Sequence, residues 1–316
     1  MTFQTFARED KIKKILHIIL ITIISLTVIS CSSSDDSKTT TSSVSFVAVG
    51  TSGTLLTSSD GTSWTSRTSG TSNGLQRVIY ANSTFVTVGD SGTILTSSDG
   101  ISWTSRTSGT TNTLYGITYG NSTFVTVGNS GTILTSSDGT TWTSRTSGTT
   151  NDLWGDNYIN SIFVAVGDSG TILTSSDGTS WDNRTSGTSN GLQRVIYEGN
   201  FTVVGDAGII LRSSDGISWA TSTPLTTANI YGSYYANSTF VMVGESGTII
   251  TSLNDGSDWD NRTSGTTNRL YKVTYGNSTF VTVGLSGTVL TSLDGTTWTS
   301  RTSGTTETLH GIAYKE

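Results

Sequence analysis

Thr135–Asn151 reads TSSDGTTWTSRTSGTTN, and near-copies of it recur along the chain. The stretch is polar and rich in Ser, Thr and Gly, yet it carries a turn signal and an aromatic at fixed places. Aligning on the Trp that follows each Asp-Gly gives Trp64, Trp103, Trp142, Trp181, Trp219, Trp259 and Trp298, spaced 39, 39, 39, 38, 40 and 39 residues apart. A second phrase, Phe-Val-x-Val-Gly, keeps the same beat, with its aromatic at Phe46, Phe85, Phe124, Phe163, Phe201, Phe240 and Phe280. A fixed period of this kind marks a repeat architecture, in which one unit cannot bury its faces alone.

Each unit holds four short alternating runs. In the unit entered at Leu114 they are LYGITYG, FVTVG, TILTS and WTSRTS. Between them lie NST, NSG, SSDGTT and SGTTN, all turn-forming, with Gly and Asn available for positive φ. Four strands per unit and seven units predict an all-β protein, a seven-bladed β-propeller with four antiparallel strands per blade. The ends agree. Residues 44–50, VSFVAVG, begin at a second strand, and Leu309–Tyr314 is a first strand with nothing after it. The C-terminal strand is expected to pair with the three N-terminal strands and close the ring, leaving no free blade edge.

Composition sets limits on function. Charged residues make up only 13% of the 316, and eight Trp, eleven Tyr and nine Phe argue for a packed core rather than disorder. Net charge is −6, and the first thirty residues contribute +2, so the remainder carries −8. That balance argues against nucleic acid, which needs clustered Lys and Arg. The single Cys31 permits no internal disulfide and no thiolate metal site. The only histidines, His17 and His310, leave no material for a His-based triad or metal cluster. No cofactor and no metal are expected.

Residues 11–31, KIKKILHIILITIISLTVISC, have a basic start, an apolar run and a small residue before Cys31. The run is short for a membrane span, which needs roughly 20 apolar residues, and it fits a secretory signal. Its ending resembles the lipobox of bacterial lipoproteins. That resemblance implies a signal peptide over 1–30, lipid on Cys31 and attachment to the bacterial cell envelope, at the outer membrane or cell surface. The alternative is an uncleaved anchor with an incidental Cys. Residues 31–43, polar and without periodicity, read as a flexible tether to a propeller over 44–316.

The Asp-Gly turns, Asp60, Asp99, Asp138, Asp177, Asp215, Asp255 and Asp294, with the Trp that follows each, resemble the Asp-box or bacterial neuraminidase repeat. The common form has one residue between Asp and Gly, whereas here the two are adjacent, and the sixth copy, SLNDGSDW, has an extra residue. The whole repeat resembles the propellers of the photosystem II assembly-factor family and related bacterial repeat lipoproteins. The resemblance implies a structural role for these Asp residues and a scaffold or assembly role for the chain. Sialidase chemistry would need an arginine triad and a Tyr–Glu pair, and neither is recognisable. Arg67, Arg106, Arg145, Arg184, Arg262 and Arg301 on the fourth strands read as edge protection. The NST triplets at Asn82, Asn121, Asn237 and Asn277 read as turns.

What varies between near-identical copies is free of the structural rule. Variation concentrates early in the first strand, at Gln76, Tyr115, Trp154, Gln193, Tyr231, Tyr271 and His310, and at the next position, where Arg77, Arg194 and Lys272 replace Gly. It also falls on the turn after Phe-Val-x-Val-Gly, at Asp90, Asp168, Asp206 and Glu245 among others. These residues are expected to line the mouth of the central channel, and Tyr, Trp and Arg dominate binding hot spots. Ordinary packing is the competing account, and the repetition of GLQRVIY at Gly74 and Gly191 shows that block duplication explains part of the pattern. The reading is a non-catalytic, monomeric binding or scaffold module for an envelope or extracellular protein. Its alternatives are a glycan-binding or glycan-processing propeller, with an acid/base pair drawn from the four carboxylates, and a surface adhesin.

Overall fold

Phe124, Val125, Thr126 and Val127 are all fully buried, which a strand with one wet face cannot achieve. Alternate side chains of this strand serve two different neighbours, as the period of two requires. Phe124 packs with Val86 and Val88 of the preceding blade, while Val125 and Val127 pack with Leu153 and Phe163 of the next. Every blade is thus apolar on both faces and stable only between two others.

The computed structural model describes residues 43–222, 226–254, 256 and 258–316. The signal peptide expected over 1–30, the lipidation expected at Cys31 and almost all of the expected tether lie outside the described residues, as does Asp255. The described residues form a seven-bladed β-propeller of four-stranded antiparallel sheets. Blade three shows the plan, with strands Leu114–Gly120, Thr123–Gly128, Ile133–Ser136 and Thr143–Arg145 in that order from the channel outward. The helical pieces are three-residue 3-10 turns between second and third strands, such as Asn129–Gly131. Gly128, just before one of these turns, allows a close approach: a Cβ there would lie 2.1 Å from the carbonyl oxygen of Thr113.

Closure follows the sequence reading. Leu309–Tyr314 pairs antiparallel with Phe46–Gly50, Phe46 opposite Tyr314 and Ala48 opposite Ile312. Phe46, Ala48 and Leu56 of this composite blade one then pack on Val281, Val283 and Val289 of blade seven. The ring has no open face, and each fully buried Phe or Leu in it contributes about 1.5–3 kcal/mol.

The opening stretch is the outer half of blade three. Asp138 Oδ1 accepts the amides of Thr140 and Thr141 at 2.8 and 3.0 Å, and Ser136 Oγ accepts the amide of Gly139 at 2.9 Å. Gly139 sits at φ 75°, open to glycine at little cost. The Trp142 indole donates to the Gly139 carbonyl at 3.2 Å, and its ring lies 6.4 Å from that of Phe124, against the interface of blades two and three. In the sixth copy Asn254 takes the acceptor role, receiving Ser252 Oγ and the Asp258 amide at 2.9 Å each.

The edge arginines are engaged inward. Arg145 Nε donates to Thr135 Oγ1 on the third strand at 2.8 Å, and Arg67, Arg106, Arg184, Arg262 and Arg301 repeat the bond. Blade five exchanges the pair: Ser222 stands on the fourth strand and Arg212 on the third, where it reaches Gly256 O of the next blade at 2.8 Å. The Asn-Ser pairs of the NST triplets lie at positive φ, as tight hairpin turns require.

Candidate functional site

Each inner strand carries one extra residue relative to its neighbour. The register slips between Leu75 and Arg77, Leu114 and Gly116, Leu153 and Gly155, Leu192 and Arg194, Ile230 and Gly232, and Leu270 and Lys272, and likewise beside Gly311 in blade one. A β-bulge re-aims the side chain it carries. The bulged residues are Gln76, Tyr115, Trp154, Gln193, Tyr231, Tyr271 and His310. Together with Arg194 and Arg269 they line a cavity of about 290 Å³ at one end of the channel.

This mouth is arranged as two aromatic groups. Tyr115 and Trp154 lie 4.3 Å apart between ring centroids; Tyr231, Tyr271 and His310 follow one another at 5.6 and 4.9 Å. Arg269 lies over the Tyr231 and Tyr271 rings at 5.1 and 5.8 Å and pairs with Glu245 at 3.2 Å. Burial lowers the His310 pKa from its ordinary 6.5 and favours the neutral ring at pH 7.

The carboxylates of the adjoining turns are tied to the bulge residues of their own blades. Asp90 accepts Gln76 Nε2 at 2.9 Å, Asp168 accepts the Trp154 indole at 2.6 Å, and Asp206 accepts Gln193 Nε2 at 3.3 Å. Asp168 and Asp206 both approach Gly191, where a Cβ would lie 3.7 Å from Asp168 Oδ1 and 2.5 Å from Asp206 Oδ2. Burial raises the Asp206 pKa; the Gln193 bond opposes the shift, and Asp168 and Glu245 add to it.

The cations depart from the expectation. Arg77 and Lys272 do not line the mouth: they are buried beneath it, each 8% exposed. Arg194 borders both the mouth and a second chamber of about 270 Å³ further along the channel, which Arg77 and Lys272 also line. The reason is the bulge, which points two consecutive residues along different parts of the channel wall, the first to the rim and the second into the throat. Two residues of the site were missed by the sequence reading. Asp156 is buried in the throat, at a strand position held by Val78, Ile117, Val195 and Val273 in other blades. Arg269 comes from the loop that precedes the inner strand, held elsewhere by Gly74, Thr113 or Asn229. In both cases a charged residue where most copies carry an uncharged one was the available signal.

No family model matches the chain, and none of the curated proteins matches it. Solved structures do resemble it. One, described as YCF48 bound to D1 peptide, aligns with a TM-score of 0.63 at 20% identity over 76% of this chain and 86% of its own. Another, YCF48 from Cyanidioschyzon merolae, aligns with a TM-score of 0.63 at 16% identity over 78% of this chain and 90% of its own. At these identities the likeness is one of fold.

Proposed function

We propose that the chain is a non-catalytic binding module whose channel mouth takes a segment of a partner protein. The observation that carries this reading is that all seven bulge residues converge on one cavity and that five of them are aromatic or His. Bulges spent on aiming side chains at a shared space are more than packing requires. Arg269, stacked on two tyrosines, adds the third hot-spot residue type to the same rim. A fold neighbour described as bound to a peptide supports a peptide-like occupant. In this reading the Asp-Gly turns are Asp-boxes that serve the fold, and the lipobox at Cys31 anchors the module to the bacterial envelope.

The test is quantitative capture from envelope extract, comparing the chain with a Trp154→Ala, Tyr271→Ala, Arg269→Ala variant of equal melting temperature. A protein held by the first and lost by the second, then shown to bind saturably when purified, supports the reading. Equal capture by both places binding elsewhere. Loss of membrane association in Cys31→Ser tests the anchor separately.

A second reading rests on Asp168 and Asp206 both lying beside Gly191, two neighbouring carboxylates being what glycoside hydrolysis uses. Both are already engaged by Trp154 and Gln193, which suits glycan binding on the aromatics better than hydrolysis. Binding to glycan arrays that survives Asp168→Asn, with no released sugar, separates binding from turnover.

A further inference from the structure

Three cationic side chains and one carboxylate line the second chamber of the channel, beneath the mouth. Arg77 and Lys272 are each 8% exposed and Asp156 is 6% exposed. Arg77 Nε and Nη1, Arg194 Nε and both Asp156 carboxylate oxygens are buried without a hydrogen-bond partner among the described residues. Arg194 spends Nη1 on the carbonyls of Trp154 and Gln193, at 2.8 and 3.0 Å, which fixes its guanidinium in the throat. No ion pair within 4.0 Å joins Asp156 to a cation among the described residues. The groups nonetheless feel one another: burial raises the Asp156 pKa, and Arg77, Arg194 and Lys272, in that order, oppose the shift.

The four groups therefore face each other across a gap, and with all of them ionised two positive charges are left over. Buried N–H groups of a guanidinium left unfilled are costly. The fold does not need them, because Gly116, Gly155, Gly232 and Gly311 hold the same position in the other blades. Nor does Asp156 need three cations. At two of these glycines a side chain would collide with the cluster. A Cβ at Gly116 would lie 2.5 Å from Asp156 Oδ1, and one at Gly155 would lie 2.8 Å from Arg194 Nη1.

We propose that the throat is an anion site, in which Arg77, Arg194 and Lys272 hold one small dianionic oxyanion of the phosphate or sulfate class. The planar guanidinium forks present paired donors that match oxyanion edges, and Lys272 supplies a point charge. Once ionised, above about pH 7, Asp156 sets the excess charge of the throat at two and so favours a dianion over a larger polyanion. The occupant is a free ion, distinct from the protein segment at the rim, and the two sites stand or fall separately.

The test is calorimetric titration of inorganic phosphate into the full chain, purified in detergent and in chloride-free, phosphate-free buffer at about pH 8.5, where Asp156 is ionised. The expected result is saturable binding of one ion with Kd below about 1 mM. Lys272→Met and Arg77→Gln each weaken it by about tenfold or more, since each removes a buried charge from the site. Asp156→Asn, of the same shape, tightens it by about tenfold through loss of the one repelling charge. Arg145→Gln, on the outer strand, leaves it unchanged. Absence of saturation up to about 20 mM phosphate, or equal weakening by Arg145→Gln, overturns the proposal. Should the two cation variants fail to fold, unchanged or weaker binding by Asp156→Asn overturns it as well.

Discussion

The Trp154 indole donates to Asp168 Oδ1 across 2.6 Å, while the same ring lies 4.3 Å from Tyr115 of the neighbouring blade. One side chain thus fixes a rim carboxylate and stacks across a blade boundary. Trp154→Phe keeps a ring and loses the donor; Trp154→Ala loses both. Partner affinity is predicted to fall by about 1 kcal/mol in the first variant and by about 2 kcal/mol or more in the second, read as Kd by calorimetry. Equal losses in the two variants would mean that the bond to Asp168, and not the stacked ring, makes the contact.

Asn254 already does in blade six what an Asp does elsewhere, so the turn requires an acceptor, and a charge only strengthens it. In Asp99 the carboxylate accepts the amides of Ile101 and Ser102 at 2.8 Å each. Asp99→Asn is predicted to melt within about 2 °C of the parent chain, and Asp99→Ala about 2–4 °C lower. These bonds, the Ser102 amide first, hold the Asp99 pKa at about 2 against an ordinary 3.8. The charged form is favoured by folding, so its contribution is present above pH 3.8 and is lost as the pH falls toward 2. A melting series from pH 5 to about 2 should show a loss that is reduced in Asp99→Asn.

Asp156 carries the opposite sign. Burial pushes it up to about 7, with Arg77, Arg194 and Lys272 facing it across the throat and opposing that shift. Between pH 3.8 and about 7 the folded chain keeps a proton that the unfolded chain has released, so stability falls as the pH rises through that window. Asp156→Asn is predicted to flatten the pH dependence there. The check is the difference in melting temperature between the two chains, measured in phosphate-free buffer at several pH values. A constant difference would show that Asp156 is ionised throughout.

Leu309–Tyr314 is one strand of blade one and also part of its contact with blade seven, through Leu309 and Ile312. Removing residues 309–316 exposes the faces of Phe46 and Val281 together, so the truncated chain is predicted to lose its single cooperative melt and to aggregate. Leu309→Ala, by contrast, should cost about 2–5 kcal/mol, as any buried Leu does, and leave the melt cooperative. Calorimetric scans of both chains test this.

The fold was legible because its rules repeat. Phe124, Gly128, Asp138, Gly139 and Trp142 each have an equivalent in nearly every unit, and each answers to a local requirement: an interblade ring, a close approach, a turn acceptor, a positive φ and a gap-filling indole. The rim was legible for the converse reason, since Trp154 and its equivalents vary between otherwise similar copies. The depth of Arg77 and Lys272 was not legible, because a one-residue bulge leaves no mark in the hydrophobic pattern. Asp156 was hidden by its place among Val and Ile, and Arg269 by its place in a loop. Asn254 was missed because aligning on Asp-Gly puts the inserted Asp255, instead of Asn254, in register.

The proposed function places a partner protein at the bulge-lined mouth. The direct test places a photo-crosslinking amino acid in turn at Tyr115, on the rim, and at Leu293, which is 73% exposed in the Asp-Gly turn after strand Val289–Ser292, on the opposite face. Crosslinking in the native envelope is predicted to join one protein to the rim position and none to Leu293. A crosslink formed equally from Leu293, or from Leu293 alone, would contradict the claim and move the binding surface to the face of the Asp-Gly turns.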